Sequence, residues 1–242
     1  MRLYGKRPVA ERLRAAPRTI RSLVIQQDTD AAEIVKAAQA AGITFLSKSK
    51  AEFARLAPEA HTQGILAEVE EFRYAQIEDL VQGVGDRPTL FLLDRVTDPQ
   101  NLGAILRALA CFGRFAVVLP KHDSAEVTET VLRVACGGEN HVPVARVTNL
   151  VQAAEKAKEA GYWLAGAAAS GGAPLYSADW PEPLAVVLGS EGSGIRPGLE
   201  KHLELTLSLP MPGATLSFNV ATAAALFAYE ITRRRLMKEK TP

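Results

Sequence analysis

The chain reads as an α/β protein in which a small amino-terminal α/β unit precedes a larger unit built on a parallel sheet. Three observations predict this. Beyond residue 88, short apolar runs alternate with amphipathic helical stretches, the rhythm of parallel strands covered on both faces. Residues 73–88 lose that periodicity and collect Gly83, Gly85, Asp86 and Pro88, as a connecting segment does. A hydrophobic content of 48% over 242 residues is enough to fill more than one core. The expected division is therefore 1–72, a linker at 73–88, and 89–242.

Within the first unit, Val9 to Leu13 reads as helix, Ser22 to Gln26 as strand, and Ala31 to Ala41 as an amphipathic helix stopped by Gly42. Ile43 to Leu46 reads as a second strand and Ser49 to Leu56 as a short helix. Gly64 to Val69 alternates as a strand should. One helical turn at Ile77 to Val81 interrupts the linker. In the second unit, strands are expected at Leu90 to Leu93, Phe115 to Leu119, Val142 to Val144, Trp163 to Ala167, Leu184 to Leu188 and Leu205 to Leu209. Helices are expected at Pro99 to Cys111, Ala125 to Ala135, Asn149 to Ala160 and Asn219 to Lys238.

Charge narrows the function classes. With 28 basic and 27 acidic residues the net charge is +1, so the chain is not a globally basic nucleic-acid binder, and any such contact is local. Two segments qualify. In the first, Arg2, Lys6, Arg7, Arg12, Arg14, Arg18 and Arg21 are opposed only by Glu11; the second is Arg233-Arg-Arg235 with Lys238 and Lys240. A solvated helix face or frayed terminus accounts for either equally well. Cys111 and Cys136 sit in apolar helical stretches without a C-x-x-C pair, so they read as small core residues and no disulfide or zinc site is expected. No apolar run suits a signal peptide or a membrane span, so a cytoplasmic protein without a membrane partner is expected.

Three segments carry the chemistry. Asp98-Pro-Gln-Asn-Leu-Gly-Ala-Ile-Leu-Arg107 follows an apolar strand, with Asp98 a good helix cap and Pro99 suited to the first helical position. Asn101 then lies in the first turn. Arg107 is six residues on, off its stripe, though both are expected to reach the carboxyl-end rim of the sheet. Gly189-Ser-Glu-Gly-Ser-Gly194 also follows an apolar strand, with Glu191 its only charge. Its spacing and the nearby Pro197-Gly198 fit a dinucleotide fingerprint poorly. Leu209-Pro-Met-Pro-Gly leads to Ser217-Phe-Asn219 at the mouth of an alanine-rich helix, where capping and chemistry are equally good uses of Ser217 and Asn219.

Together these segments resemble the motifs of the SpoU family of RNA ribose 2'-O-methyltransferases. Asn101, Gly103 and Arg107 match its Asn-x-Gly-x-x-x-Arg pattern, and residues 210–220 match Pro-Met-x-Gly-x-x-x-Ser-Leu-Asn-Val with Phe218 in place of leucine. Ala221 stands where a small hydroxyl residue is usual. Tyr4-Gly5 with Val9, residues 61–67, Val134-Ala-Cys-Gly137 and residues 142–150 resemble the branch that methylates guanosine in 23S rRNA. Lys6-Arg7-Pro8 departs from the histidine-containing sequence usual there.

The resemblance implies a knotted (SPOUT-type trefoil) parallel-sheet domain behind a small α/β RNA-binding domain similar to ribosomal-protein RNA binders. It also implies S-adenosyl-L-methionine as donor, RNA and not DNA as partner, no metal, and a homodimer packed through the knotted region. It assigns Gly189, Leu209 and Phe218 to the donor, and Asn101, Arg107, Glu191, Ser217 and Asn219 to the active site. A transfer RNA ribose methyltransferase and a non-catalytic RNA-binding assembly factor are the competing readings.

Overall fold

A computed structural model describes residues 1–58, 62–82, 87–190, 192–213 and 216–239. Its amino-terminal part runs β1 (Arg2–Tyr4), α1 (Lys6–Ala15), β2 (Ile20–Gln26), α2 (Ala32–Ala40), β3 (Leu46–Lys48), α3 (Lys50–Leu56) and β4 (Ile65–Val69). The sheet order is β1-β4-β2-β3, with β4 antiparallel to both neighbours and β2 parallel to β3. Ser49 closes a capping box on α3, its hydroxyl taking the Glu52 N–H while the Glu52 carboxylate takes the Ser49 N–H.

After α4 (Ile77–Val81) come β5 (Thr89–Leu93), α5 (Pro99–Phe112), β6 (Phe115–Pro120), α6 (Glu129–Ala135), β7 (Val144–Val147), α7 (Leu150–Glu159) and β8 (Trp163–Ala168). The chain continues through β9 (Ala173–Pro174), β10 (Leu184–Leu188), α8 (Pro197–Glu200), β11 (Leu205–Ser208) and α9 (Val220–Glu239). All seven strands are parallel, in the order β7-β6-β5-β10-β8-β11-β9. The expected α/β parallel sheet is thus present. Alternation along its strands splits the core: Phe91, Leu93, Val117, Val186 and Leu188 pack with Leu102 of α5, Leu132 of α6 and Phe227 of α9. Leu90, Leu92, Val118, Ala185 and Val187 face Ile77 of α4, Ala153 of α7 and Leu199 of α8. Each fully buried large apolar side chain contributes about 1.5–3 kcal/mol.

Leu3, Val9 and Leu13, beside the small sheet, belong to the same hydrophobic cluster as Leu102 and Leu132 of the large one. Beside this apolar contact, Arg12 of α1 reaches Glu139 at 3.0 Å, the two side chains 8% and 0% exposed. Burial is the main cause that raises the Glu139 carboxyl above its ordinary range, with Arg12 acting against it.

Several elements differ from expectation for identifiable reasons. The strand expected at Ile43 to Leu46 forms only from Leu46, because the Ile43 N–H bonds back to Ala38 O and closes the end of α2. Ala125 to Thr128 do not join α6. The Ala125 N–H donates to Val96 O and the Val127 N–H to the Tyr74 hydroxyl, and both side chains are buried. β7 falls later than Val142 to Val144, overlapping only at Val144. The very short β1, β9 and α8 were not expected.

Cys111 is exposed and Cys136 half-buried, so neither is the core residue expected of it. Arg233, Arg234 and Arg235 are held by the fold. Arg233 and Arg234 pair with Glu230, and Arg235 pairs with Glu182 and bonds Thr89. Among the described residues no helix is long and apolar enough to cross a membrane.

Candidate functional site

At the carboxyl end of β5 the chain turns into α5, and the Asp98 carboxylate caps the helix by accepting the Gln100 N–H at 2.8 Å. This sets Asn101 in the first turn. Its amide oxygen accepts Nδ2–H of Asn219 at 2.9 Å, joining the first motif to the third. Asn219 also takes the Ala221 N–H on Oδ1 at 2.9 Å. Because its oxygen serves the backbone of α9, its amide nitrogen is the end left to face Asn101. Capping and site geometry are therefore one arrangement, not alternatives.

The second motif leaves β10 and doubles back at once. Ser190 N–H donates to Gly194 O at 3.2 Å and Gly194 N–H to Ser190 O at 2.9 Å. A β-carbon on Gly189 would lie 2.1 Å from the Gly194 carbonyl carbon, so only glycine permits this return. A device that sequence reasoning missed holds the loop. Asp94, fully buried at the end of β5, accepts the Arg196 N–H at 2.8 Å and meets Arg196 Nε at 2.7 Å. Arg95 donates to Gly194 O at 3.2 Å. Nothing local in sequence links Asp94 to a residue so far along the chain.

These turns enclose a cavity of about 320 Å³, lined by Gly189, Ser190, Leu209, Met211, Ser217 and Phe218 with Ala167 to Ala169 at the end of β8. All three residues expected to touch a donor are here, and so is Ser217. Phe218 is 42% exposed, a large apolar side chain at the rim. No described lining residue is cationic, so nothing there repels a donor bearing a sulfonium. Small side chains, backbone and an aromatic wall suit a flat heteroaromatic group with a polar tail. The residues fit S-adenosyl-L-methionine.

Arg107 lies elsewhere. It lines a separate cleft between α1 and α5, and its NH1 donates to Cys136 Sγ at 3.7 Å. Glu191 lies outside the described residues. One chain thus brings Ser217 to this cavity, joins Asn101 to Asn219, whose chain neighbours Phe218 and Val220 line it, and holds Arg107 apart in the other cleft.

Two family models match successive segments of the chain. The model of the "SpoU rRNA Methylase family" matches residues 88–229, and that for "RNA 2'-O ribose methyltransferase substrate binding" matches residues 2–75. An uncharacterized tRNA/rRNA methyltransferase of Synechocystis is 42% identical over 73% of this chain, which spans only 47% of that relative's length. The 23S rRNA (guanosine-2'-O-)-methyltransferase RlmB of Neisseria meningitidis is 34% identical over 98% of this chain and 97% of its own. The SpoU methyltransferase AviRb of Streptomyces viridochromogenes, solved in complex with AdoMet, shares the fold, with a TM-score of 0.77 at 23% identity over 98% of this chain and 90% of that one. With both family models matched in order along the chain, the chain belongs to the SpoU family of RNA ribose 2'-O-methyltransferases, enzymes that take their methyl group from S-adenosyl-L-methionine.

Proposed function

We propose that this chain methylates the ribose 2'-hydroxyl of a guanosine in 23S rRNA. The observation that carries the reading is the cavity lined by Gly189, Leu209, Ser217 and Phe218, with Asn219, next to Phe218 in the chain, bonded to Asn101. End-to-end likeness to RlmB, including the substrate-binding segment, favours 23S rRNA over transfer RNA. The division of labour is 1–72 for RNA, 73–88 as linker and 89–242 for methyl transfer, in the cytoplasm. In this reading the segments after β10 and β11 form the family's trefoil knot around the donor.

S-adenosyl-L-methionine, when bound, supplies a methyl group already activated on a sulfonium. The protein's task is to align the 2'-oxygen and ease loss of its proton. Gly189, Leu209 and Phe218 hold the donor through backbone and ring contacts, while Ser217, Asn101 and Asn219 position the ribose. A guanidinium holds its proton too firmly to act as a base, so Arg107 binds phosphate and stabilises charge developing on the 2'-oxygen. Glu191 orients Asn101 or Arg107.

The separation of Arg107 from the donor cavity within one chain accords with a site completed in a homodimer. α9 offers the surface for it, exposing Leu226, Tyr229, Leu236 and Met237. Light scattering at micromolar concentration is expected to give a dimer.

The test of function is transfer of labelled methyl to unmodified 23S rRNA and to total transfer RNA, followed by mapping of the modified ribose. One 2'-O-methylguanosine in 23S rRNA is expected. Methylation of transfer RNA alone discards the substrate, and donor binding without transfer to either favours the assembly-factor reading. Arg107→Ala is expected to lower turnover about 10²–10³-fold with donor affinity little changed. Near-normal turnover sinks its assignment.

A further inference from the structure

The cleft that holds Arg107 encloses about 490 Å³, within the range of ligand sites. One wall is a stripe of α1: Lys6, Arg7, Ala10, Glu11 and Arg14. The other is Arg107, Ala110 and Cys111 of α5, and the floor is Ala135 to Gly138. At Gly137 and Gly138 the floor is bare backbone by necessity. A β-carbon on Gly138 would lie 2.9 Å from the Arg107 Cα, and one on Gly137 would lie 2.5 Å from the Glu11 side chain. The chain passes so close beneath both helices that no side chain fits between them.

Three of the segments that resemble the 23S rRNA branch meet here, though they are far apart in sequence. Gly5 opens α1, the Lys6 N–H is taken by Gln63 Oε1 at 2.9 Å, and Cys136-Gly137 forms the floor. None of these residues lines the donor cavity. Three of the four segments that carry the likeness to that branch therefore gather around a second cavity, separate within one chain from the cavity after β10 and β11.

Its charge shows what it takes. Four cations, Lys6, Arg7, Arg14 and Arg107, face two carboxylates, Glu11 and Glu33. Both carboxylates are engaged: Arg14 pairs with each, and His141 meets Glu11 at 2.7 Å. Lys6 pairs with Asp30 outside the cleft lining. Arg7 and Arg107 have no carboxylate partner among the described residues, and both are exposed. Cations left open on two facing helices, with α1 carrying a row about 12 Å long from Lys6 to Arg14, suit an extended polyanion better than a point charge.

We propose that this cleft binds the backbone of the substrate RNA, with Arg7 and Arg107 each holding a phosphate. The inference rests on the RNA methyltransferase reading and adds Arg7 to it as a substrate-binding residue. It gives the departure from the family at Lys6-Arg7-Pro8 a use: a permanently charged, forked donor stands in the first turn of α1.

The experiment measures binding of an unmodified 23S rRNA fragment across a range of salt concentrations, with methyl transfer and donor affinity measured on the same proteins. Arg7→Ala is expected to weaken RNA binding about tenfold and to reduce the salt slope by about one ion. KM for RNA rises while donor affinity stays unchanged. Arg7→Lys recovers most of the loss, whereas Arg18→Ala, removing a cation outside the cleft lining, changes little. Equal thermal midpoints exclude misfolding. If the unsubstituted enzyme transfers methyl and Arg7→Ala binds RNA as well as it does, the cleft proposal falls alone. Arg7-dependent RNA binding without methyl transfer keeps the cleft and defeats the catalytic reading, and donor binding with no RNA binding defeats both.

Discussion

Arg233, Arg234 and Arg235 near one end of the chain and Lys6, Arg7, Arg12 and Arg14 near the other look alike as sequence, yet the fold uses them in opposite ways. Two of the carboxy-terminal triplet, Arg234 and Arg235, are turned inward. Arg234 lies 3.6 Å from the Trp180 ring centroid and donates to Ala178 O and Leu175 O, and Arg235 sits near Phe115 and bonds Thr89. At the amino-terminal end only Arg12 is buried in that sense, and Arg7 stays open in the cleft. Clustered cations therefore mark a ligand surface only where the surrounding fold leaves them without carboxylate or carbonyl partners.

The sharpest break of this comparison is Arg12→Ala. Removing one member of a buried pair leaves Glu139 without its counter-charge inside the joint between α1 and the large unit. The expected loss is about 3–5 kcal/mol by urea unfolding at neutral pH. A loss near that of a surface arginine means that the joint does not depend on the pair. Arg234→Ala comes next, forfeiting a cation–π contact, two carbonyl bonds and part of the Glu230 pair, for about 2 kcal/mol. Arg233→Ala, whose side chain is 38% exposed, is expected to cost under about 1 kcal/mol. Equal losses at 233 and 234 would erase the distinction between inward and outward members of the triplet.

How far each region can be read from sequence follows from how local its contacts are. The family's motifs are local runs of glycine, proline and short polar residues, so the resemblance could name Gly189, Leu209, Ser217 and Phe218, and these four line one cavity. The cleft was not legible. Arg7 shares a cleft with Arg107 and Cys136 only because the fold brings α1 against α6 and the turn that follows it, and no spacing encodes that. The cysteines show the same limit: their apolar neighbours suggest a core, but the packing leaves Cys111 and Cys136 facing the cleft. Arg107 sits about 9 Å along α5 from Asn101, and helix geometry alone separated it from the rim where both were expected. β1 escaped notice because three residues carry too little pattern, and it forms by pairing with β4.

The smallest expected effect is also the most direct test of the contrast, because the carboxylates at the two buried joints titrate in opposite senses. Hydrogen bonds from Arg233 first, and from Arg234, hold the Glu230 carboxyl below its ordinary 4.5. Its contribution is full above 4.5 and is lost as pH falls through that value toward the folded one. Glu139 is raised, chiefly by burial, so the folded protein binds its proton more readily than the unfolded chain does. Stability from this group rises as pH falls from the raised folded value to 4.5. Two windows on opposite sides of 4.5 result. In urea unfolding from pH 7 to about 3, Glu230→Gln is expected to flatten the acid loss below 4.5. Glu139→Gln removes the gain above 4.5 and leaves the lower window unchanged. If both variants shift the same window, the two joints are not electrostatically opposite, and the difference between the ends of the chain reduces to exposure alone.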